Sequence, residues 1–577
     1  MEKNVYIKKS AKVYDAIVVG SGITGGWAAK ELCERGLKTL MVERGRPVEH
    51  RKDYIGEGKR PWDLPHRGKV EQALLDEQYK IQRQCYAFND ATKHFFGNDK
   101  DLPYSTPEDK PFSWIRGNQL GGKSLLWHRQ SYRLSDLDFT ANLKDGNGVD
   151  WPIRYRDLEK WYSHVERHVG ISGASENIAV LPDSVFLPPF EFNAVESWAK
   201  QKIENHYRDR KMIMGRCAHL TVPAPHHLEQ GRGSCQARNE CQRGCSFGAY
   251  FSTQSSTLPA ALKTGRLSIA TNAIVHSVIY DGKTNRVKGV RVIDSETMET
   301  QVYFAKLIFL CASTLGTTQI MLNSVSPEFP TGLANSSGVL GHYLMDHLYG
   351  AGAEGRIEGF EEHYYSGRRP TGPYIPRFRN VDKAHPDFVR GYSLGGGAYR
   401  QQWREFSSID GFGIDFKKRI RDAGSWTFDL GGSGEMLPRF ENSVSLHPEK
   451  KDKWGMPQLH IDCSYGDNDL RMMRDIADSA AEILEVLGAK DIQTYVRTQR
   501  EWPPGLSIHE MGTARMGRDP KTSVLNAHNQ AHDIPNLFVT DGACMTSNAW
   551  QNPSLTYMAI TARAAAYATQ QLKLQKI

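Results

Sequence analysis

The chain has 577 residues, with 73 Lys and Arg against 66 Asp and Glu, a formal net charge of +7 and a hydrophobic fraction of 39%. That length exceeds one ordinary core and predicts two domains, in series or woven together. The mild, dispersed charge does not indicate nucleic acid, and the absence of an apolar run of about 18 residues predicts no membrane-spanning helix.

The N-terminus is basic at first and then enters a short strand and a glycine turn, so no signal peptide is expected. The run Tyr14-Asp-Ala-Ile-Val-Val-Gly20 reads as a buried strand and Thr39-Leu-Met-Val-Glu43 as a second, with a helix between them. The turn is Gly20-Ser-Gly22-Ile-Thr-Gly25, and Glu43 follows Gly20 by 23 residues. Glycine lets the backbone turn tightly and approach a pyrophosphate at a helix N-terminus, and the acid can hold a ribose hydroxyl pair. A glycine motif alone is weak, but strand, turn, helix, strand and acid in this order predict a dinucleotide site. A structural glycine turn would leave Glu43 unexplained.

From about Pro47 to Pro111 the sequence is polar and aperiodic, which predicts loops and short helices over the cofactor. Arg116-Gly-Asn-Gln-Leu-Gly-Gly-Lys-Ser124 is a second glycine-rich loop suited to close backbone approach, although a plain surface turn would look alike. Leu307 to Ala312 predicts another buried strand and Thr314 to Leu322 a helix. Val444 to Leu446 and Gln458 to Asp462 alternate as half-buried antiparallel strands do. Leu470, Met473, Ala477, Ala480, Leu484 and Leu487 share one helical face, which is expected to back that sheet and end at Gly488.

Nine cysteines are an odd number, and Cys33, Cys85, Cys217, Cys311, Cys463 and Cys544 are scattered singly, so no disulfide framework is expected. Cys235, Cys241 and Cys245 are crowded in a Cys-x5-Cys-x3-Cys spacing that can converge on one metal centre, as iron-sulfur clusters require. Zinc normally wants a fourth ligand, and none is evident nearby. Plain buried cysteines are the third reading.

The C-terminal stretch carries the chemistry. His509 lies in Ser-Ile-His-Glu-Met-Gly-Thr-Ala-Arg-Met-Gly517, and Phe538 to Gly542 and Gln551-Asn-Pro-Ser-Leu555 follow. A neutral imidazole can take the proton of an alcohol, and the Asn552 amide can donate to the oxygen as charge develops there. Among 20 histidines, packing alone is the usual fate of any one. Asn552 also reads as an N-cap, with Pro553 at the first position of a helix running to Leu572.

Together the glycine motif, Gly121-Gly-Lys-Ser124, Cys311 to Ile320, Gly341-His-Tyr-Leu-Met-Asp-His347, His509 and the Asn-Pro pair resemble the glucose-methanol-choline (GMC) family of flavin oxidoreductases. The resemblance implies FAD and an α/β fold, with a Rossmann-like FAD-binding domain and a substrate domain on a mainly antiparallel sheet backed by helices. It implies a discontinuous division: FAD-binding parts at 1–150, 215–345 and 501–577, and substrate-domain parts at 151–214 and 346–500.

Carried over by residue, Gly20, Gly22 and Gly25 face the pyrophosphate and Glu43 the adenosine ribose. Gly122 and Ser124 face the phosphate or flavin, Val275 the adenine, and Asp541, Gly542, Asn552 and Pro553 the ribityl chain and ring. Ile23, Thr24, Arg44 and Gly121 complete the cofactor set. Many members carry an asparagine shortly after the Gly-Gly-x-Ser loop, where this chain has Leu126-Trp127-His128. His128 follows Trp127, and FAD is expected to be non-covalent.

The sequence looks most like bacterial sugar dehydrogenase flavoprotein subunits, glucoside 3-dehydrogenases in particular. That branch implies a 3Fe-4S cluster on Cys235, Cys241 and Cys245 that draws electrons from flavin singly, a small subunit carrying the export signal, and a cytochrome acceptor. The compartment stays open, periplasmic by co-export or cytoplasmic. The expected reaction is oxidation of a sugar hydroxyl, at C3 of glucosides or related pyranosides. A gluconate-type sugar-acid or aldose C1 dehydrogenase, a pyranose-type oxidase and a non-catalytic flavoprotein subunit are the alternatives. A carboxylate substrate would want an arginine, which Arg377, Arg379 or Arg400 could supply. Sugar contacts are sought among Tyr374, Tyr392, Tyr399, Gln401 and Gln402.

Overall fold

Two seven-stranded sheets organise the chain in this computed structural model, which describes residues 13–363, 370–400 and 411–577. The β-branched run at the N-terminus forms the strand Val13–Val19, followed by the helix Ile23–Glu34 and the strand Thr39–Val42. The two strands pair in parallel, with Ile17 opposite Leu40, and Leu267–Ala270 adds to the outer edge of Thr39–Val42.

The buried strand expected at Leu307 is the last part of a longer one, Thr300–Leu310. Its first half alternates between exposed and buried because it pairs antiparallel with Arg286–Asp294 in a ribbon that also holds Ala273–Asp281. Its second half is buried on both faces, as a central parallel strand must be, between Val13–Val19 and Leu537–Val539. The helix Thr314–Leu322 follows where the sequence placed it. The C-terminal helix Ser554–Lys573 closes this sheet, with Ala564, Ala565 and Ala568 in one cluster with Ala28 and Leu32 of the first helix.

The second sheet is antiparallel, in the order Lys490–Val496, Ala351–Ile357, Trp426–Glu435, Tyr392–Arg400, Pro373–Ile375 and Ile213–Met214, with His347–Leu348 against the end of Trp426–Glu435. The helix Asp467–Leu487 backs it, ending at Gly488, and buries Met472, Met473, Ile476, Ala480 and Ile483 in the same cluster as Phe428 and Leu430. Leu470, read as part of that face, is 39% exposed on the first turn.

The strands expected around Val444 and Leu459 do form, as Ser443–Lys451 and Pro457–Asp462, but they are a separate two-stranded ribbon. Both outer edges are already taken. Ser105 exchanges backbone hydrogen bonds with Leu459 and Ile461 on one side, and the Val444 amide donates to the Gly341 carbonyl at 2.7 Å on the other. With no free edge, the ribbon cannot extend the sheet, and the helix backs the strands on either side of it in sequence.

Candidate active site

A cavity of about 980 Å³ lies between the sheets, and the sequence's two termini meet in it. On one side the chain turns at Gly20 with φ +93, a conformation open to glycine, and enters the helix at Gly22 with no side-chain cap. The first-turn amides of that helix therefore point into the cavity without a protein acceptor. A Cβ on Gly22 would meet nothing within 4 Å, whereas one on Gly25 would strike the Gly20 carbonyl oxygen at 2.0 Å. Gly22 is open toward the cavity, and Gly25 packs helix against turn.

Glu43 ties this turn together. Its carboxylate accepts from the Ser21 amide at 3.1 Å, the Ser21 hydroxyl at 2.5 Å and the Gly45 amide at 2.8 Å. Burial nevertheless pushes its pKa up. The Ser21 hydroxyl in turn accepts from the Gly121 amide at 2.8 Å, which joins the two glycine loops. Ser124 accepts from the Thr253 amide at 3.1 Å and, with Gly122, lines the cavity.

His509 and Asn552 stand at the other end. The His509 backbone amide donates to Asp346 Oδ1 at 3.0 Å, and the amides of Gly505 and Ser507 donate to Asp346 Oδ2 at 2.6 and 3.2 Å. One buried carboxylate thus fixes the loop that carries the imidazole. Ile508, a β-branched residue, is held at φ +63 immediately before it. His509 Nδ1 lies 3.1 Å from Nδ1 of His347, leaving Nε2 for the cavity. Burial, then His347, Lys123 and His128, hold the His509 pKa well below its ordinary value. These causes favour the uncharged imidazole, the form that can accept a proton.

Asn552 Nδ2 is 3.4 Å from the Tyr349 hydroxyl, so one amide hydrogen is used and the other is free for a ligand. Asn552 is not the N-cap: the helix starts at Ser554 with Pro553 as its cap, one residue later than the sequence suggested, because Pro553 itself adopts the boundary position. Asp541 accepts from the Thr317 hydroxyl at 2.5 Å and the Ala543 amide at 3.0 Å, and burial pushes its carboxyl up to about 6.

Ile23, Thr24, Arg44, Val275, Gly542 and Pro553 also line the cavity. Gly25 and Gly121 do not, standing one layer behind it; a Cβ on Gly121 would meet the Gln254 amide at 2.0 Å. Of the residues considered for sugar contacts, Tyr374 and Tyr399 line the cavity, whereas Tyr392 is buried in the core against Asp475 and Ser479. Gln401 and Gln402 lie outside the described residues.

The three arginines suggested for a carboxylate substrate do not reach the cavity. Arg377 donates to the Arg379 and Asn380 carbonyls, Arg379 pairs with Asp475, and Arg400 donates to the Gly424 carbonyl. Each is used in holding the substrate sheet's own loops.

Cys235, Cys241 and Cys245 line a second, small cleft with His219 and Tyr250. Cys241 Sγ is 3.6 Å from His219 Nε2, and Asn239 and Pro370 line both this cleft and the large cavity. Burial raises the Cys235 thiol pKa, and the neighbouring Cys241 and Cys245 raise it further. Among the described residues no group of three His, Cys, Asp or Glu side chains is placed to hold a metal ion.

Sequence reasoning passed over Ser21, Lys123, His347 and Tyr349. Ser21 and Lys123 sit inside the glycine loops already singled out, and that position was the available signal. His347 and Tyr349 come to His509 and Asn552 across 162 and 203 residues, a closure that no local pattern reports.

Residues 14–349 and 438–561 match the N- and C-terminal family models of the GMC oxidoreductases. The chain belongs to that family. It is 27% identical to the 2-methyl-1,2-propanediol dehydrogenase of Mycolicibacterium austroafricanum, over 97% of this chain and 95% of that protein. It is 25% identical to the fructose dehydrogenase large subunit of Gluconobacter japonicus, over 96% and 97%. The fold is shared with Aspergillus oryzae formate oxidase, with TM-score 0.60 at 14% identity, covering 98% of this chain and all of that one. This GMC oxidoreductase is therefore an enzyme of the class that acts on alcohol or sugar hydroxyls, as the sequence led us to expect.

GMC oxidoreductases bind FAD, and the residues of this chain fit that cofactor. The uncapped helix N-terminus and the open Gly22 make a cradle for a pyrophosphate. Arg44 Nη2 and the Tyr557 hydroxyl are buried at the cavity wall with no hydrogen-bond partner, as donors awaiting a ligand are. No helix among the described residues is long and apolar enough to cross a membrane.

Proposed function

We propose that this GMC oxidoreductase is an FAD-dependent sugar dehydrogenase that oxidises a ring hydroxyl, C3 of a glucoside or related pyranoside, to the keto product. The observation that carries the reading is the shared cavity, which sets the glycine turn and Glu43 against the neutral His509 and the half-satisfied Asn552. Gly20, Gly22, Ile23 and Thr24 would hold the FAD pyrophosphate, Glu43 and Arg44 the ribose side, Val275 the adenine, and Gly122, Ser124, Asp541, Gly542 and Pro553 the ribityl chain and ring. Bound non-covalently, FAD supplies the hydride acceptor.

The chain's own residues handle the proton. His509 Nε2 accepts the hydroxyl hydrogen while Nδ1 keeps its own toward His347. The free amide hydrogen of Asn552 meets the substrate oxygen, an interaction that strengthens as negative charge grows there. Tyr349 holds Asn552 in that orientation.

We propose that Cys235, Cys241 and Cys245 would hold an iron-sulfur cluster of the 3Fe-4S kind, which would supply a one-electron path toward a small subunit and a cytochrome. What supports this is the shared cleft of the three sulfurs and its common wall with the cavity at Asn239 and Pro370. A cluster spreads its thiolates over separate irons and so does not ask for the close triad that one ion does. The relative named as a large subunit supports a partner chain. Iron and acid-labile sulfide in the purified protein, lost in Cys241→Ser, test the cluster.

For the sugar-acid alternative, Arg377, Arg379 and Arg400 are not at hand, but Arg116 and Arg129 line the cavity. Addition of a methyl glucoside without oxygen tests the main reading. Bleaching of the flavin band is expected, since the blocked anomeric carbon excludes C1 oxidation. An unbleached band with FAD bound would move the reaction to free aldoses or sugar acids.

A further inference from the structure

The floor of the cavity on the substrate side is made by the second sheet, and its middle carries glycines, with the Tyr495 hydroxyl beside Gly431. On Trp426–Glu435 the residues facing the cavity are Ser433, Gly431 and Asp429; beside them on Tyr392–Arg400 stand Ser393, Gly395 and Gly397, paired in that order. A serine pair is followed by a glycine pair and then by Asp429 next to Gly397.

The serine end is the reacting end. Ser433 donates to the Trp550 carbonyl at 3.2 Å, the next outward strand position but one, Glu435, pairs with His347, and the Tyr349 hydroxyl reaches both Ser433 and Asn552. Asp429 is four residues further along the same strand, about 13 Å away at the usual rise per residue. A single pyranose held at His509 and Asn552 does not span that distance.

The fold does not require the glycine at 395. Its backbone is not in the left-handed region, and a Cβ there would meet only Tyr374 Cδ2 at 3.6 Å and the Pro373 carbonyl at 3.9 Å, ordinary contacts. What a side chain at 395 would fill is the cavity. The Tyr374 and Ser393 hydroxyls at this floor are buried, and neither makes a hydrogen bond of normal geometry. Asp429 itself is only partly buried and is flanked by Glu354 on the neighbouring strand and by Tyr495; burial and the Glu354 charge push its carboxyl up to about 6.

We infer that the glycine floor at Gly395, ending at Asp429 and Tyr495, is a second subsite, which takes a hydroxyl-bearing second ring of a glycoside whose first ring is oxidised at His509 and Asn552. This rests on the sugar-hydroxyl reading above. The ring lies over Gly395, where no side chain lifts it, and against the Tyr495 hydroxyl, which stands 3.2 Å from where a Cβ on Gly431 would be. Asp429, which already accepts from the Tyr495 hydroxyl, accepts hydrogen bonds from the ring's hydroxyls on its remaining lone pairs.

The test compares flavin reduction by methyl glucoside with reduction by maltose and cellobiose in the wild-type holoenzyme, in Asp429→Asn and in Gly395→Val, with Gly395→Ala as the milder filling. The ratio of kcat/KM for the better disaccharide to that for methyl glucoside is expected to fall about tenfold in Asp429→Asn, the effect of one charge-assisted hydrogen bond. It is expected to fall stepwise from Gly395→Ala to Gly395→Val. A ratio unmoved by all three variants overturns the subsite while flavin bleaching by methyl glucoside leaves the sugar reading intact. Flavin that stays oxidised with every sugar in the wild type overturns both.

Discussion

His347 and His509 meet nitrogen to nitrogen, Nδ1 against Nδ1 at 3.1 Å, with their rings edge to face. Only one hydrogen can lie between those atoms. If His509 Nε2 is to be bare toward the substrate, Nδ1 must carry the hydrogen and His347 must accept it, so His347 selects the tautomer of its neighbour. His347→Phe keeps the bulk and removes the acceptor. It is expected to retain FAD while the rate of flavin reduction falls about tenfold to a hundredfold, the cost of one buried hydrogen bond lost in the reacting state. Unchanged reduction in rapid mixing would remove His347 from the mechanism.

Asp346 acts on the same imidazole through the backbone. It accepts the amides of Gly505, Ser507 and His509, and so holds a loop in which Ile508 keeps a left-handed φ. Burial and the nearby Glu510 push the Asp346 carboxyl up to about 7, against those amides. In Asp346→Leu the three donors lose their acceptor in a buried place. Destabilisation of about 3 kcal/mol or more is expected, at roughly 1–3 kcal/mol for each buried group left unpaired. Denaturant unfolding measures it, and a change below about 1 kcal/mol would show that the loop is held elsewhere.

Gly22 and Gly25 separate two uses of glycine three residues apart. Gly22→Ala places a methyl group in open cavity with φ at −64, so the apoprotein should keep its unfolding midpoint while FAD binding weakens. Gly25→Ala drives a methyl into the Gly20 carbonyl and should lower the midpoint with or without FAD. Paired melting curves and flavin titrations distinguish them; equal FAD affinity in Gly22→Ala and the wild type would place the pyrophosphate elsewhere.

The elements legible in the sequence are those whose signal is local. The run from Tyr14 to Glu43 gave strand, turn, helix and strand because burial on both faces writes itself as a continuous apolar stretch. The helix Asp467–Leu487 was legible from its period, but its partner sheet was not, since strand pairing is a long-range choice decided by which edges Ser105 and Gly341 had already occupied. At the site, Gly20, Gly22, Glu43, His509 and Asn552, each singled out by its motif, line one cavity. His347 lay inside a quoted motif without a role, because its meaning is a contact with a residue 162 positions away.

The depressed pKa of His509 has consequences for both rate and stability. Burial, His347, Lys123 and His128 disfavour its cation in the folded enzyme, and burial alone lowers His347 to about 4. The form that accepts a proton is the neutral one, so flavin reduction should be level through neutral pH with no acid limb near 6.5, the usual histidine value. Lys123 lines the cavity and pairs with Glu510 at 3.2 Å. Lys123→Gln removes a positive charge facing the imidazole, raises its pKa and moves the acid limb upward, which the pH profile of the reduction rate would show. For stability the sign follows from which state binds more protons. Below about 6.5 the unfolded chain protonates these histidines while the folded chain does not, so the stability present above 6.5 is lost as pH falls toward the folded values, about 4 for His347. Melting temperatures of the apoprotein between pH 7 and 4, read at about half-unit steps, should therefore fall less steeply in His347→Phe than in the wild type. Parallel slopes would mean that His347 already carries its proton in the native enzyme.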